Sequence, residues 1–178
     1  MNRLTLEQLR VGPNDSVLEV GFGGGGLLAE LLKATEGPVI GVDVSDAMVD
    51  RARRRFRRTG RLELHRASVE KLPLPDRAVD KACSVNSLYF WPEPAAAMGE
   101  LARVLRPGGH LAIAFEPPEE LRKWPGHRHG FRLFEEAEVV GLMKGAGFTS
   151  IRRSEGRGRK PDRFLCLTGE RGAPQAAA

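Results

Sequence analysis

The segment from Val17 to Leu28, which reads VLEVGFGGGGLL, constrains the fold more than any other part of this chain. Val17, Leu18 and Val20 make an apolar run typical of a buried strand, and the glycines that follow interrupt it. Leucines then recur at helical spacing, so the predicted order is strand, glycine turn, helix. Glycine adopts positive φ and has no Cβ, so such a turn lets a ligand contact bare backbone. The segment therefore predicts a binding loop for a nucleotide-like ligand.

Two classes of ligand fit a glycine turn of this kind. Gly21, Gly23 and Gly26 satisfy G-x-G-x-x-G, and Asp43 ends the next apolar run, where dinucleotide sites have a ribose-binding acid. Glu19 argues against a dinucleotide, because its carboxylate lies two residues before the first glycine, where a diphosphate would come close. An anion at this place suits a cationic ligand better. An NAD-binding oxidoreductase remains the alternative.

The composition is that of one ordinary globular domain. The chain has 178 residues, of which 41% are hydrophobic and 29% charged. No apolar run reaches the length of a membrane span, and the first ten residues lack the apolar block of a signal peptide, so we expect a cytoplasmic protein. Cys83 and Cys166 are too few and too isolated for a disulfide framework or a metal cluster, and we expect buried free thiols.

The net charge of +5 raises the question of a nucleic-acid partner. The densest basic run, residues 51–58, is predicted to be helical, because Met48, Ala52 and Phe56 fall at i, i+4 and i+8 and share one face. Base-stacking aromatic residues are not interleaved with these arginines. We therefore expect a solvated helix face, and nucleic-acid binding is disfavoured.

Strand-like runs alternate with helical segments along most of the chain. The predicted strands are 17–20, 39–44, 62–67, 79–85, 111–115, 148–152 and 163–168. This alternation predicts βαβ units and a parallel sheet covered on both faces. The loop between the last two strands is too short for a parallel crossover, so that pair must be antiparallel. We expect one domain over residues 1–171 and a disordered tail over 172–178.

Five segments, in the right order, resemble motifs of class I S-adenosylmethionine (SAM)-dependent methyltransferases with a type 11-like domain. Val17–Gly25 resembles the first motif, and Val39–Asp43 resembles the acid-ended second strand. The other segments are LPLPD at 72–76 followed by Val79-Asp80, RVLRPGG at 103–109 before the fifth strand, and AGF at 146–148. The resemblance covers almost the whole chain.

The resemblance implies a Rossmann-like, doubly wound sheet of seven strands, mostly parallel with a C-terminal antiparallel hairpin. It also implies that SAM binds over the carboxyl ends of the first strands. The residues carried over are Glu19 for the cationic ligand, Gly21, Phe22 and Gly23 for the methionine moiety, Asp43 for the ribose hydroxyls, Val44, Met48, Ser68 and Val69 for the adenine, and Asn86 for the methionine ammonium. Ser68 departs from the family, which commonly has an acid there.

The implied reaction is methyl transfer from SAM to a small organic acceptor. Aromatic residues after the fourth strand and in a later loop, Tyr89, Phe90, Trp91 and Trp124, are compatible with an apolar acceptor pocket and equally with a small loop core. If the acceptor is a hydroxyl, a nearby group must take its proton. The candidates are His127, His129 and Tyr89.

A catalytically silent SAM-binding subunit is a further alternative, because the N-terminal segment is short for a lid over the acceptor. A homo-oligomer in which another subunit supplies that cover is compatible with the same observation. We expect neither a metal ion nor a membrane span.

Overall fold

Seven strands from the described residues form one mixed sheet at the centre of the fold. This computed structural model describes residues 1–124, 131–158 and 162–172. The strands are β1 (Val17–Val20), β2 (Val39–Asp43), β3 (Leu62–Arg66), β4 (Val79–Val85), β5 (Leu105–Phe115), β6 (Phe148–Arg157) and β7 (Arg163–Arg171). The helices are α1 (Asn2–Leu9), α2 (Gly26–Ala34), α3 (Asp46–Arg55), α4 (Pro94–Val104), α5 (Pro118–Leu121) and α6 (Glu136–Gly145), with a 3₁₀ turn at Leu88–Phe90.

The strand order across the sheet is β3-β2-β1-β4-β5-β7-β6. Strands β1 to β5 run parallel, and β7 pairs antiparallel with both β5 and β6. The predicted sheet, mostly parallel with an antiparallel C-terminal hairpin, is confirmed. The connections reverse direction between β1 and β4, so a crevice opens at the carboxyl ends of these two strands.

Helices cover both faces of the sheet, which explains the continuous apolar runs of its central strands. Val17 joins the apolar cluster beneath α1, α2 and α3, whereas Leu18 and Val20 join the cluster on the side of α4 and α6. Side chains alternate along a strand, so Glu19 lies on the side of Val17. The carboxylate of β1 is therefore buried under the first three helices.

Strand β5 is longer than the sequence pattern predicts. The Arg-Pro-Gly-Gly run at 106–109 predicts a turn, but β5 already begins at Leu105, with an irregularity in its register against β4. Gly109 permits this, because an added Cβ would lie only 2.9 Å from the carbonyl oxygen of Asp80. Residues 106–109 have no partner in β4 and Gly108 has a φ of 77°, so the predicted break in the chain is present, but it lies inside β5 and not before it.

The arginines of α3 make local ion pairs and hydrogen bonds. Arg53 pairs with Asp50 at 3.5 Å on the exposed face of the helix. The Nη1 atom of Arg55 donates to the carbonyl oxygens of Gly24 and Gly25, at 2.7 and 3.1 Å. One arginine of the basic run thus fastens α3 to the glycine turn.

Three further expectations concern the chain as a whole. Cys83 and Cys166 are buried free thiols, as predicted. Within the described ranges, no helix combines the length and the hydropathy needed to cross a membrane. Beyond Gly172, the predicted tail falls outside the described residues.

Candidate active site

The glycine turn after β1 is held by hydrogen bonds to the neighbouring strand β2. Gly21, Gly23 and Gly25 have φ values of 70°, 48° and 69°, which side chains other than glycine rarely adopt. The N–H of Gly21 donates to the carbonyl oxygen of Val42 at 2.7 Å, so the turn continues the sheet before it bends into α2. The predicted order of strand, glycine turn and helix is present.

The first two of these glycines have different surroundings. A Cβ on Gly21 would lie 2.3 Å from the Cβ of Ser87, so this glycine makes room for a side chain that follows β4. A Cβ on Gly23 would meet nothing within 4 Å. The resemblance implied that both glycines let a ligand approach the backbone, and of the two only Gly23 leaves open space where a side chain would stand.

Asp43, at the end of β2, orders the glycine turn. Its Oδ2 accepts the N–H of Gly23 and its Oδ1 accepts the N–H of Ser45, each at 2.9 Å. Each carboxylate oxygen has two lone pairs, so both can accept a second hydrogen bond. Asp43 is only 8% exposed, and the remaining acceptors belong to a side chain that lines a cavity.

Glu19 is buried on the same side of the sheet as Asp43. It pairs in register with Gly41, two residues before Asp43, so the two carboxylates share a face. Burial raises the pKa of Glu19 well above its usual range, and the nearby charge of Asp43 raises it further. Its Oε2 has no hydrogen-bond partner among the described residues. This oxygen is an acceptor beneath the turn for a donor or a bound water.

A cavity of about 370 Å³ lies at the carboxyl ends of β1, β2 and β4, and we call it the smaller cavity. Its lining includes seven of the ten predicted cofactor residues: Gly21, Gly23, Asp43, Val44, Ser68, Val69 and Asn86. Glu19, Phe22 and Met48 are not in the lining. Phe22 is buried in the apolar cluster beneath α2, and Met48 packs against the same cluster. Met48 is only partly buried, whereas Phe22 is 4% exposed.

Ser68, where the resembled family commonly has an acid, lies in the wall of the smaller cavity. The Oγ of Ser68 donates to Oε2 of Glu70 at 3.2 Å and accepts the N–H of Glu70 at 3.3 Å. The other oxygen of Glu70 accepts the N–H of Glu93 at 2.6 Å. The carboxylate of Glu70 therefore lies two residues beyond the position where the family commonly has an acid. Both of its oxygens already accept hydrogen bonds from other residues of the chain.

A second cavity of about 840 Å³ adjoins the first, and we call it the larger cavity. Asn86 and Phe90 line both cavities. The described residues of its wall are Met1, Asn86, Tyr89, Phe90, Glu116, Glu120, Leu121, Lys123, Trp124, Phe131, Arg157, Gly158, Asp162 and Phe164. Of the predicted aromatic set, Trp91 lines the smaller cavity, and the other three line the larger one.

Tyr89, Asn86 and Glu116 form a hydrogen-bonded network between the two cavities. The hydroxyl of Tyr89 donates to Oδ1 of Asn86 at 3.1 Å and accepts the N–H of Glu116. The Nδ2 of Asn86 donates to Oε1 of Glu116 at 3.3 Å. Burial raises the pKa of Tyr89, which keeps its hydroxyl protonated. The other two candidates, His127 and His129, lie outside the described residues.

Glu116 is a cavity residue that sequence analysis missed. It directly follows β5, just as Asn86 directly follows β4. The carboxyl ends of parallel strands meet at one edge of the sheet, so both positions carry the same signal. The position of Glu116 directly after a predicted strand could have identified it from the sequence, but none of the family motifs includes this residue.

Comparison with known proteins identifies the fold and its family. The sequence model of the methyltransferase domain family matches residues 18–113, which span β1 to β5. The methyltransferase YdaC of Bacillus subtilis is 33% identical over 174 residues, 97% of this chain and 92% of that protein. The 27-O-demethylrifamycin SV methyltransferase of Amycolatopsis mediterranei is 33% identical over 108 residues, 59% of this chain and 39% of that protein. Three further curated relatives are also longer, and the aligned segments span 32%, 44% and 42% of their lengths.

A solved structure gives the same fold independently. The methyltransferase in complex with the Haloferax volcanii Trm112 methyltransferase activator superposes with a TM-score of 0.87 at 22% identity, covering 96% of this chain and 88% of that one. Of the two ligand classes that the glycine turn left open, the family match favours SAM over NAD, because SAM is the donor that this fold implies. The chain belongs to the methyltransferase domain family and is a class I SAM-dependent methyltransferase.

Proposed function

We propose that this enzyme binds SAM in the smaller cavity and methylates a small organic acceptor held in the larger cavity. The observation that carries the proposal is that the two cavities adjoin and share Asn86 and Phe90. A donor and an acceptor bound in adjoining cavities can approach each other without solvent between them. Such positioning is the main requirement of a methyl transfer, with effective molarities of up to about 10⁵ to 10⁸ M for well-aligned groups.

The residues of the smaller cavity fit the donor. Gly23 offers open space beside its backbone, and the second lone pairs of Asp43 suit the two hydroxyls of a ribose. The Oε2 of Glu19 has no hydrogen-bond partner among the described residues, so it can accept a hydrogen bond on behalf of the ligand's ammonium. Since Glu19 is not in the cavity wall, a water molecule would bridge the two groups. When bound, SAM supplies an electrophilic methyl group on a cationic sulfur.

Each further residue of the smaller cavity has a role toward one part of the donor. The exposed side chain of Val44 and the buried one of Val69 would contact the adenine, and Ser68 would accept from its amino group. Asn86 would lie near the methionine ammonium, at the junction with the acceptor. Phe22 and Met48 act from the core, by holding the turn and α3 in place.

The larger cavity fits a small organic acceptor. Its volume of about 840 Å³ falls in the range of small-molecule sites. Aromatic rings form one wall, with Phe90 and Trp124 56% and 52% exposed. The similarity to a methyltransferase named for a rifamycin supports the same substrate class.

The donor is tested by isothermal titration calorimetry with SAM, S-adenosylhomocysteine and NADH. We expect the first two to bind and NADH not to bind. Binding of NADH without SAM would contradict the proposal. The acceptor is tested by incubating the enzyme with isotope-labelled SAM and a library of small organic molecules, with product mass as the readout. Transfer only to RNA or protein would contradict the acceptor class.

A further inference from the structure

The larger cavity has one carboxylate, that of Glu116, without an ion-pair partner among the described residues, and Arg157 in the same wall does not pair with it. Lys123 lies 2.7 Å from Oε1 of Glu120 and 3.3 Å from Oδ2 of Asp162, so these two acids share its ammonium. Glu116 accepts a hydrogen bond from the neutral amide of Asn86 and forms no ion pair within residues 1–124, 131–158 and 162–172. The charge of Glu116 is therefore available to a ligand.

Aromatic rings stand around the same cavity. The ring centroid of Phe131 lies 4.6 Å from that of Phe90 and 5.1 Å from that of Trp124, at interplanar angles of 61° and 75°. Rings turned steeply against each other present both faces and edges to the space they border. The face of an aromatic ring attracts a cation, by about 0.5 to 2 kcal/mol for each good contact.

Glu116 also occupies the correct place for the reacting end of an acceptor. Asn86, its hydrogen-bond partner, lines both cavities, so a group held by Glu116 lies beside the junction. Burial raises the pKa of Glu116, and the nearby charge of Glu120 adds to the rise. A positively charged ligand would stabilise the ionised form of this carboxyl.

We propose that the acceptor is an amine that enters as its ammonium form, with Glu116 as the carboxylate that binds it and the Phe90, Phe131 and Trp124 rings as the wall beside it. This inference rests on the proposed function, since it names the substrate class of the same site. An ammonium has no free electron pair, so one proton must leave before methylation. That proton passes from nitrogen to the carboxylate of Glu116, and the electron pair stays on nitrogen.

The test is binding to the complex with S-adenosylhomocysteine, measured by calorimetry with three probes of similar shape: benzylamine, benzyl alcohol and benzyltrimethylammonium. The wild-type complex should bind benzylamine at least tenfold more tightly than benzyl alcohol, which corresponds to about 1.4 kcal/mol. Glu116→Gln should abolish this preference. Phe131→Leu should weaken benzyltrimethylammonium more than benzyl alcohol.

The matched control is Glu119→Gln, because Glu119 is exposed, pairs with Arg163 and lies outside the cavity wall. It should keep the preference for benzylamine. The inference is overturned if benzylamine fails to bind at millimolar concentration, binds no better than benzyl alcohol, or keeps its advantage in Glu116→Gln. S-adenosylhomocysteine is titrated first and alone on every variant, which also checks folding. Its failure to bind the wild-type protein would overturn the proposed function and this inference together, whereas normal binding without amine preference overturns this inference alone.

Discussion

Replacing Asp43 by asparagine separates the charge of this side chain from its shape. Its two carboxylate oxygens accept the N–H groups of Gly23 and Ser45, both at 2.9 Å. Asparagine has one oxygen, so its amide nitrogen must face one of these N–H groups or one ribose hydroxyl. Each hydrogen bond to a charged group contributes about 1.5 to 3 kcal/mol. Losing one toward the ribose should weaken the binding of S-adenosylhomocysteine by about tenfold to about 150-fold.

The measurement combines calorimetry with urea unfolding of the ligand-free protein. Unfolding reports the loss of the backbone hydrogen bond, and the change in affinity reports the ribose contact. Asp50→Asn is the matched control, because Asp50 is an exposed carboxylate on the neighbouring helix α3 that pairs only with Arg53 among the described residues. It should change the affinity by less than about twofold, since surface ion pairs contribute little. An Asp43→Asn protein with wild-type affinity would refute the ribose assignment.

Other consequences of the structure are open to direct measurement. Gly21→Ala should cost about 2 to 5 kcal/mol of unfolding free energy, from left-handed strain plus steric overlap, whereas Gly23→Ala should cost only the strain, about 1 to 2 kcal/mol; equal costs in urea would contradict this. Burial raises the pKa of Cys83, and that of Cys166 to about 11, so neither thiol should react with a disulfide reagent at pH 8 until guanidinium unfolds the chain. Although burial acts to raise the pKa of Asp80, hydrogen bonds from a serine and an arginine lower it below its usual value. The contribution of Asp80 to the free energy of unfolding is thus fully present above the unfolded pKa of about 3.9 and is lost as the pH falls through the lower folded pKa. In Asp80→Asn, the free energy of unfolding should therefore depend less on pH in this acidic range, as measured by urea unfolding at several pH values.

The parts of the site that the sequence predicted are those that depend on neighbouring segments. The glycine turn and Asp43 belong to adjacent parallel strands, and the chain order strand, turn, helix, strand sets their carboxyl ends side by side. Their contact, the N–H of Gly23 on Asp43, follows from that adjacency. No information about distant packing is needed to bring them together.

The predictions about Phe22 and Met48 depended on the direction of a side chain. Both residues lie in segments that the sequence placed correctly, yet their side chains pack on the core cluster beneath α2 and α3. The direction of a side chain at a turn or at the start of a helix depends on which neighbouring surface is apolar. The family motifs do not contain that information. The role assigned to Gly21 missed Ser87 for the same reason, because Ser87 arrives from a segment 66 residues later.

The acceptor side could be predicted least because its wall comes from several separate segments. Asn86 follows β4, Glu116 follows β5 and Phe131 lies before α6, and each is ordinary in its own sequence context. The carboxylate stands beside aromatic rings at the edge of the smaller cavity only because these separate segments meet in the fold. The glycine turn and Asp43, in contrast, line the smaller cavity that we propose for the donor. The described segment after β5 lines only the larger cavity, so it can change with the acceptor while the glycine turn and Asp43 stay the same, and the common family motif and an acceptor-specific cavity can coexist in one domain.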